Sequence, residues 1–282
     1  MTTTVPTSAS TPHVLRGGTA VPPVGLGTWP MDDAEAERVV AQALEAGWRL
    51  VDTAENYGNE TGVGRGIRAS GVPREQVFIT TKFNRQWHSV DGAAQAWAQS
   101  ARRLGVEQID LLLIHWPNPD QDRFVQAWEG LLRLQQQGKV RAIGTSNFLP
   151  AHLQRLIDAT GVAPEVNQVQ LSPVWTQAEA RRFHAAHGIV TESWSPVGRD
   201  TALLQHPAVL AAAQARGRTP GQVVLRWHLQ CGLLPIPKTS NPQRLRENLA
   251  LFDFQLDDTE MAALSALDGQ GGPLLSPLDF GH

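Results

Sequence analysis

Leu50-Val51-Asp52-Thr53-Ala54-Glu55-Asn56-Tyr57-Gly58-Asn59-Glu60 carries an apolar run that ends on a carboxylate, then a short polar loop, then the start of a helical pattern. A buried carboxylate without a partner is strongly penalised, so Asp52 asks for a cation from elsewhere in the chain. Tyr57 is the only tyrosine among 282 residues that include nine tryptophans, whereas a phenol used as core filler would recur. Strand, polar strand end, loop and helix is the unit from which the rest of the chain can be read.

That unit repeats in both directions. Strands are expected at Val24 to Trp29, Arg49 to Thr53, Val77 to Phe83, Ile109 to His115, Ala142 to Ser146, Val166 to Gln170, Ile189 to Glu192 and Leu233 to Pro237. Helical patterns lie between them, at Ala34 to Ala46, Glu60 to Ser70, Asp91 to Leu104, Arg123 to Gln137, His152 to Ala159, Thr176 to His187, Pro207 to Ala215 and Gly221 to Gln230. Pro242 to Leu251 and Asp257 to Leu267 read as closing helices, and Gly17-Gly18 marks an N-terminal β-hairpin. The strands are nearly continuous in apolar character, as strands covered on both faces are. Eight such units point to an α/β fold, a (β/α)8 TIM barrel, in one domain from 13 to 282. Met1 to Pro12 reads as a disordered tail, and the Gly/Pro-rich stretch from Asp268 as loop.

Composition narrows the function. A net charge of −3 and the absence of basic blocks argue against nucleic acid as a partner. The N-terminus lacks a basic start and an apolar core, so it fails as a secretory signal, and no apolar run is long enough to span a bilayer. The single cysteine, Cys231, cannot form an intramolecular disulfide; that suits a reducing compartment, and a cytoplasmic location is expected.

In a barrel of this kind the active site gathers at the C-terminal ends of the strands. Asp52 ends the second strand, Lys82 the third and His115 the fourth, with Tyr57 on the loop after Asp52. Adjacent strands are about 5 Å apart, so these side chains can converge. A free phenol titrates near 10 and is a poor proton donor at neutral pH. An ammonium beside it favours phenolate and lowers that value, and Asp52 can hold the ammonium of Lys82 in place. Neutral His115 can donate a hydrogen bond to an oxygen gaining charge. The four make a proton donor beside an oxyanion site with no metal ligands, which suits carbonyl reduction by hydride from a nicotinamide.

Asp-Thr-Ala-Glu-Asn-Tyr-Gly-Asn-Glu, Thr80-Thr81-Lys82, Leu-Leu-Ile-His-Trp-Pro, Ser146-Asn147-Phe148, Asn167-Gln168 and Ile236-Pro237-Lys238-Thr239 resemble, in order, the signatures of the aldo-keto reductases. Within that family the chain looks most like the bacterial 2,5-diketo-D-gluconate reductase type. The resemblance implies NADPH-dependent reduction of an aldehyde or ketone, a small-molecule carbonyl substrate and a monomer, with Asp52, Tyr57, Lys82 and His115 as the catalytic tetrad. It also implies that Ser146, Asn147 and Gln168 hold the carboxamide. Gly27, Thr28, Trp29 and Asp52 flank the nicotinamide, with Trp194, Ser195, Pro196 and Val197 beside it. Lys238, Thr239, Ser240, Arg244, Glu247 and Asn248 surround the adenosine phosphate. Read on its own, Lys238 to Pro242 leads into a helix start that favours phosphate, and the Arg244 guanidinium suits a 2′-phosphate.

Three positions depart from the family pattern: Trp194 where a tyrosine usually stacks on the nicotinamide, Phe83-Asn84 after Lys82, and Ser172-Pro173-Val174 in place of a His-Pro-Tyr-like stretch. Trp29, Trp87 and Trp116, in loops at the site end, are expected to wall the substrate pocket, while Trp48, Trp97, Trp128 and Trp227 read as packing. Gly62, Gly64 and Gly66 do not fit a dinucleotide fingerprint. His184 and His187 lack a third metal ligand. Two rival functions are an NADPH-binding regulatory module with little turnover and a barrel phosphohydrolase; the second lacks paired carboxylates or metal ligands at strand ends.

Overall fold

The computed structural model describes residues 11–199 and 202–282. The tail expected over the first twelve residues lies, up to residue 10, outside the described residues. A short antiparallel hairpin, β1 (His13–Val14) with β2 (Ala20–Val21), precedes the sheet. Eight parallel strands follow: β3 (Leu26–Gly27), β4 (Leu50–Asp52), β5 (Phe78–Phe83), β6 (Ile109–Ile114), β7 (Val140–Ser146), β8 (Val166–Gln170), β9 (Val190–Trp194) and β10 (Leu234–Ile236), each paired with its neighbour in sequence. Gly25 N donates to Pro235 O and Gly27 N to Pro237 O, so the first strand meets the last and the sheet closes into the expected barrel.

Closure divides every strand into two faces. Leu50, Phe78, Leu111, Leu113, Ala142, Val166, Leu234 and Ile236 fill the interior, and Leu15 and Val21 of the hairpin join them as a plug. The outward face packs against the helices, including α1 (Asp33–Glu45), α2 (Glu60–Ala69), α3 (Val90–Leu104) and α4 (Phe124–Gln136), through Val39, Val51, Ile79, Leu112, Trp128 and Leu131. Helix starts follow local chemistry: Asp32 accepts from Glu35 N ahead of α1, and Ser89 from Gly92 N ahead of α3. Of the two expected closing helices, the first stops at Glu247, four residues short, and the second spans Asp258–Ser265. Strand β9 runs two residues past its expected end and carries Ser193 and Trp194 in the sheet.

The glycines of α2 serve packing. A Cβ at Gly62 would come within 1.9 Å of Asp33 O, at Gly64 within 2.1 Å of Leu104 O, and at Gly66 within 2.5 Å of Glu37 O. Helix α2 is therefore wedged between α1 and α3 at backbone contact. Among the described residues no helix is long and apolar enough to cross a membrane.

Gly64→Ala should lower stability by about 1–3 kcal/mol through overpacking, although alanine is the better helix former. A urea midpoint equal to or above that of the wild type would contradict this packing.

Candidate active site

The interior changes character along the barrel axis. Above the apolar layer the same faces present Asp52, Lys82, Gln168 and Glu192, all buried. Lys82 is fully buried, and its ammonium has three acceptors: Asp52 Oδ1 at 2.7 Å, Thr53 O at 3.0 Å and Tyr57 Oη at 3.5 Å. Burial alone would make Lys82 lose its proton more easily. The Asp52 carboxylate outweighs this and holds Lys82 above the usual lysine value. The other Asp52 oxygen accepts from Gln168 Nε2 at 2.7 Å. The cation that Asp52 demanded is thus Lys82.

Tyr57 sits in a 3-10 turn (Glu55–Tyr57) closed by Gly58, whose φ of 69° suits glycine. Its ring lies 5.3 Å from Trp29 and 5.9 Å from His115, centroid to centroid. Burial pushes the phenol above its ordinary value; Lys82 pulls it down and Asp52 pushes it up again. The expectation that Lys82 brings the phenol below its ordinary value is therefore not met, because desolvation penalises phenolate more than the ammonium favours it.

His115 is held well below the usual imidazole value by burial, with the Lys82 charge adding to it, so the ring is neutral. Its Nδ1 lies 3.2 Å from Asn84 Oδ1. For Nε2 to carry the proton, the Asn84 amide must present its nitrogen to Nδ1, so amide orientation and tautomer are set together.

A cavity of about 330 Å³ opens above these groups. It is lined by Gly27, Thr28, Trp29, Asp52, Tyr57, His115 and Trp116, by Ser146, Asn147 and Gln168, by Trp194 to Val197, and by Lys238. Asn147 adopts a left-handed φ of 63° and is tied on three sides. Its backbone N donates to Gln168 O, its Nδ2 to His115 O, and its Oδ1 accepts from Trp194 Nε1 at 2.9 Å. Trp194 therefore supplies a hydrogen bond as well as a flat face.

Thr239, Ser240, Arg244, Glu247 and Asn248 lie outside this cavity, on the segment that follows Lys238 and on the helix Pro242–Glu247 with its C-cap, Asn248. The start of this helix is already capped, since Asn241 Oδ1 accepts from Gln243 N and Arg244 N. An anion there would meet the exposed side chains of Lys238 and Arg244 more readily than free backbone N–H groups.

Trp87 departs from its expected place. It does not line the cavity, and its Nε1 donates to Glu55 Oε1 at 2.8 Å. The wall is completed instead by the C-terminal tail, through Leu275, Phe280 and His282. Phe280 packs on Trp116 at 4.8 Å, His282 lies 5.5 Å from His115, and Arg85 N donates to His282 O. No periodicity in the tail signals this. Asn84 and Glu192 were also missed; the only hint in the sequence was the departure at Phe83-Asn84. Among the described residues no group of three or more His, Cys, Asp or Glu could hold a metal ion.

The aldo/keto reductase family model matches residues 23–268. An aldo-keto reductase of Mycobacterium sp. strain KMS is 46% identical over 254 residues, 90% of this chain and 92% of its own. A methylglyoxal reductase DkgA of Yersinia pestis is 44% identical over 256 residues, 90% and 91% of the two chains. Among solved structures, an aldo/keto reductase from Brucella melitensis superposes with a TM-score of 0.89 at 41% identity, covering 95% of this chain and 100% of that one. A mutant of Gox0644 in complex with NADPH superposes at 0.91 and 42%, covering 96% and 98%.

Lys82→Met leaves Asp52 as a buried charge without its cation and should cost about 3–5 kcal/mol of stability. Denaturant unfolding within about 1 kcal/mol of the wild type would mean that the pair is not the buried unit described.

Proposed function

Because the chain belongs to the aldo/keto reductase family, we propose that it reduces an aldehyde or ketone to the alcohol with NADPH, Tyr57 donating the proton. The observation that carries this reading is the Tyr57 hydroxyl, 3.5 Å from the buried Lys82 ammonium, with the neutral His115 ring beside that of Tyr57 in the lining of one cavity. NADPH, when bound, supplies the hydride to the carbonyl carbon.

The residues do the rest. His115 and Tyr57 converge on the carbonyl oxygen and hold it as negative charge develops. An alkoxide is far more basic than a phenolate, so Tyr57 can protonate it even with a raised pKa. The raised value keeps the phenol loaded with its proton through neutral pH, and Lys82 stabilises the phenolate left behind. Acidification is not needed for the forward reaction; stabilisation of the departing charge is.

The cofactor reading fits the chain. Gln168 lines the cavity with its amide nitrogen committed to two carboxyl groups, which leaves its oxygen for a carboxamide N–H. Trp194 offers a face for the nicotinamide, and Lys238 and Arg244 offer cations for a 2′-phosphate. Apolar walls from Trp29, Trp116, Leu275 and Phe280 favour a carbonyl carrying an apolar or small substituent.

Tyr57→Phe should lower kcat by at least about 10²-fold while NADPH binding, followed by fluorescence titration, is retained. A panel that includes methylglyoxal and aromatic aldehydes provides the assay, and wild-type turnover by this variant would refute the assigned chemistry. Arg244→Ala should weaken NADPH by roughly tenfold, the loss of a charge-assisted bond, and leave NADH nearly unchanged. Equal effects on both cofactors would remove Arg244 from the phosphate site.

A further inference from the structure

One buried titratable group takes no part in the chemistry described so far. Glu192 lies on β9, level with Gln168 of β8 on one side and Leu234 of β10 on the other, and is fully buried. Gln168 Nε2 donates at once to Asp52 Oδ2 at 2.7 Å and to Glu192 Oε2 at 2.8 Å, so one amide nitrogen joins two carboxyl groups. Glu192 Oε1 is buried and has no partner among the described residues, and below this level the interior is apolar.

The groups facing Glu192 can be named from each neighbouring element. They are Asp52 from β4, Lys82 from β5, the Gln168 amide from β8 and apolar Leu234 from β10, with Tyr57 within reach of its charge. Two carboxylates sharing one amide over an apolar floor do not both ionise readily. Asp52 has the ammonium. Glu192 is therefore the one that stays neutral: burial, reinforced by the Asp52 charge, pushes it up to about 8.

We propose that Glu192 is a positioning residue for the reduction, which orients Gln168 through the shared Nε2 and, on ionising, sets a second negative charge against the Asp52–Lys82–Tyr57 group. This rests on Tyr57 being the proton donor. Two effects follow. With both N–H groups of Gln168 committed to carboxyls, its amide cannot flip, and its oxygen is the atom left for the cofactor. With Glu192 neutral, the Lys82 charge is opposed by Asp52 alone and remains available to the phenolate. With Glu192 ionised, Lys82 is over-neutralised and phenolate becomes harder to form.

The reverse direction reads this most clearly, because alcohol oxidation requires phenolate as base. kcat/KM for oxidation of the alcohol product with NADP+ should be measured against pH for the wild type, Glu192→Gln and Glu192→Leu, with Tyr57→Phe as control. Glu192→Gln removes the charge and keeps an acceptor for Gln168. Its alkaline rise should move to lower pH by about one unit, with NADP+ affinity retained. Glu192→Leu removes the acceptor as well and should weaken NADP+ several-fold.

A second readout needs no turnover. The folded value of Glu192 lies above its unfolded one, so its protonated form favours the folded state at low pH, and that contribution is lost as pH rises through about 8. The melting temperature of Glu192→Gln minus that of the wild type should therefore widen from pH 5 to pH 9. Superimposable pH profiles for wild type and Glu192→Gln, with Tyr57→Phe inactive, would overturn this inference and leave the proton donor standing. An active Tyr57→Phe would overturn the proton donor itself.

Discussion

The site depends on one ammonium placed where water cannot reach it. Lys82 brings a full charge into the barrel interior, where an unpaired ion would cost several kcal/mol, and it is tolerated because three acceptors take its three protons. Two of them, Asp52 Oδ1 and Thr53 O, belong to the end of one neighbouring strand. The third is the lone phenol. The grouping is held by its own energetics, since moving Tyr57 or Asp52 away would leave the ammonium short of a partner.

That constraint spreads outward through shared atoms. Asp52 gives one oxygen to Lys82 and the other to Gln168, and Gln168 passes the connection to Glu192. At the neighbouring strand end, Asn147, whose backbone N donates to Gln168 O, links the backbone of His115 to the indole of Trp194. The Tyr57 end and the Trp194 end of the cavity are thus parts of one polar layer seated on an apolar one. The barrel supplies the geometry: eight strand ends at one level, each offering an inward side chain every second residue.

Much of this was legible in the sequence. Asp52, Lys82 and His115 could be found because a barrel turns the ends of apolar strands into neighbours, and the strand ends were marked by polar residues. Tyr57 stood out by being alone. What the sequence does not display depends on partners far along the chain. Glu192 reads as an ordinary polar strand residue until β8 sets Gln168 beside it. Asn84 means little without His115, 31 residues later. Leu275, Phe280 and His282 reach the cavity from a tail whose Gly/Pro-rich sequence carries no period. The loop position of Trp87 points to the wall, yet its indole turns to Glu55. The direction of the Tyr57 shift could not be foreseen, because it is set by burial, and the chain order gives the charges without the depth.

Having a single tyrosine makes the central claim directly observable. With 13C-labelled tyrosine, the ring-carbon resonance of Tyr57 can be followed through its ionisation in the wild type and in Lys82→Met, alone in its spectral window. The account predicts that the phenol of the Met variant stays protonated to higher pH than that of the wild type. Equal midpoints in the two proteins would contradict it, because the ammonium would then exert no hold on the proton of the Tyr57 hydroxyl.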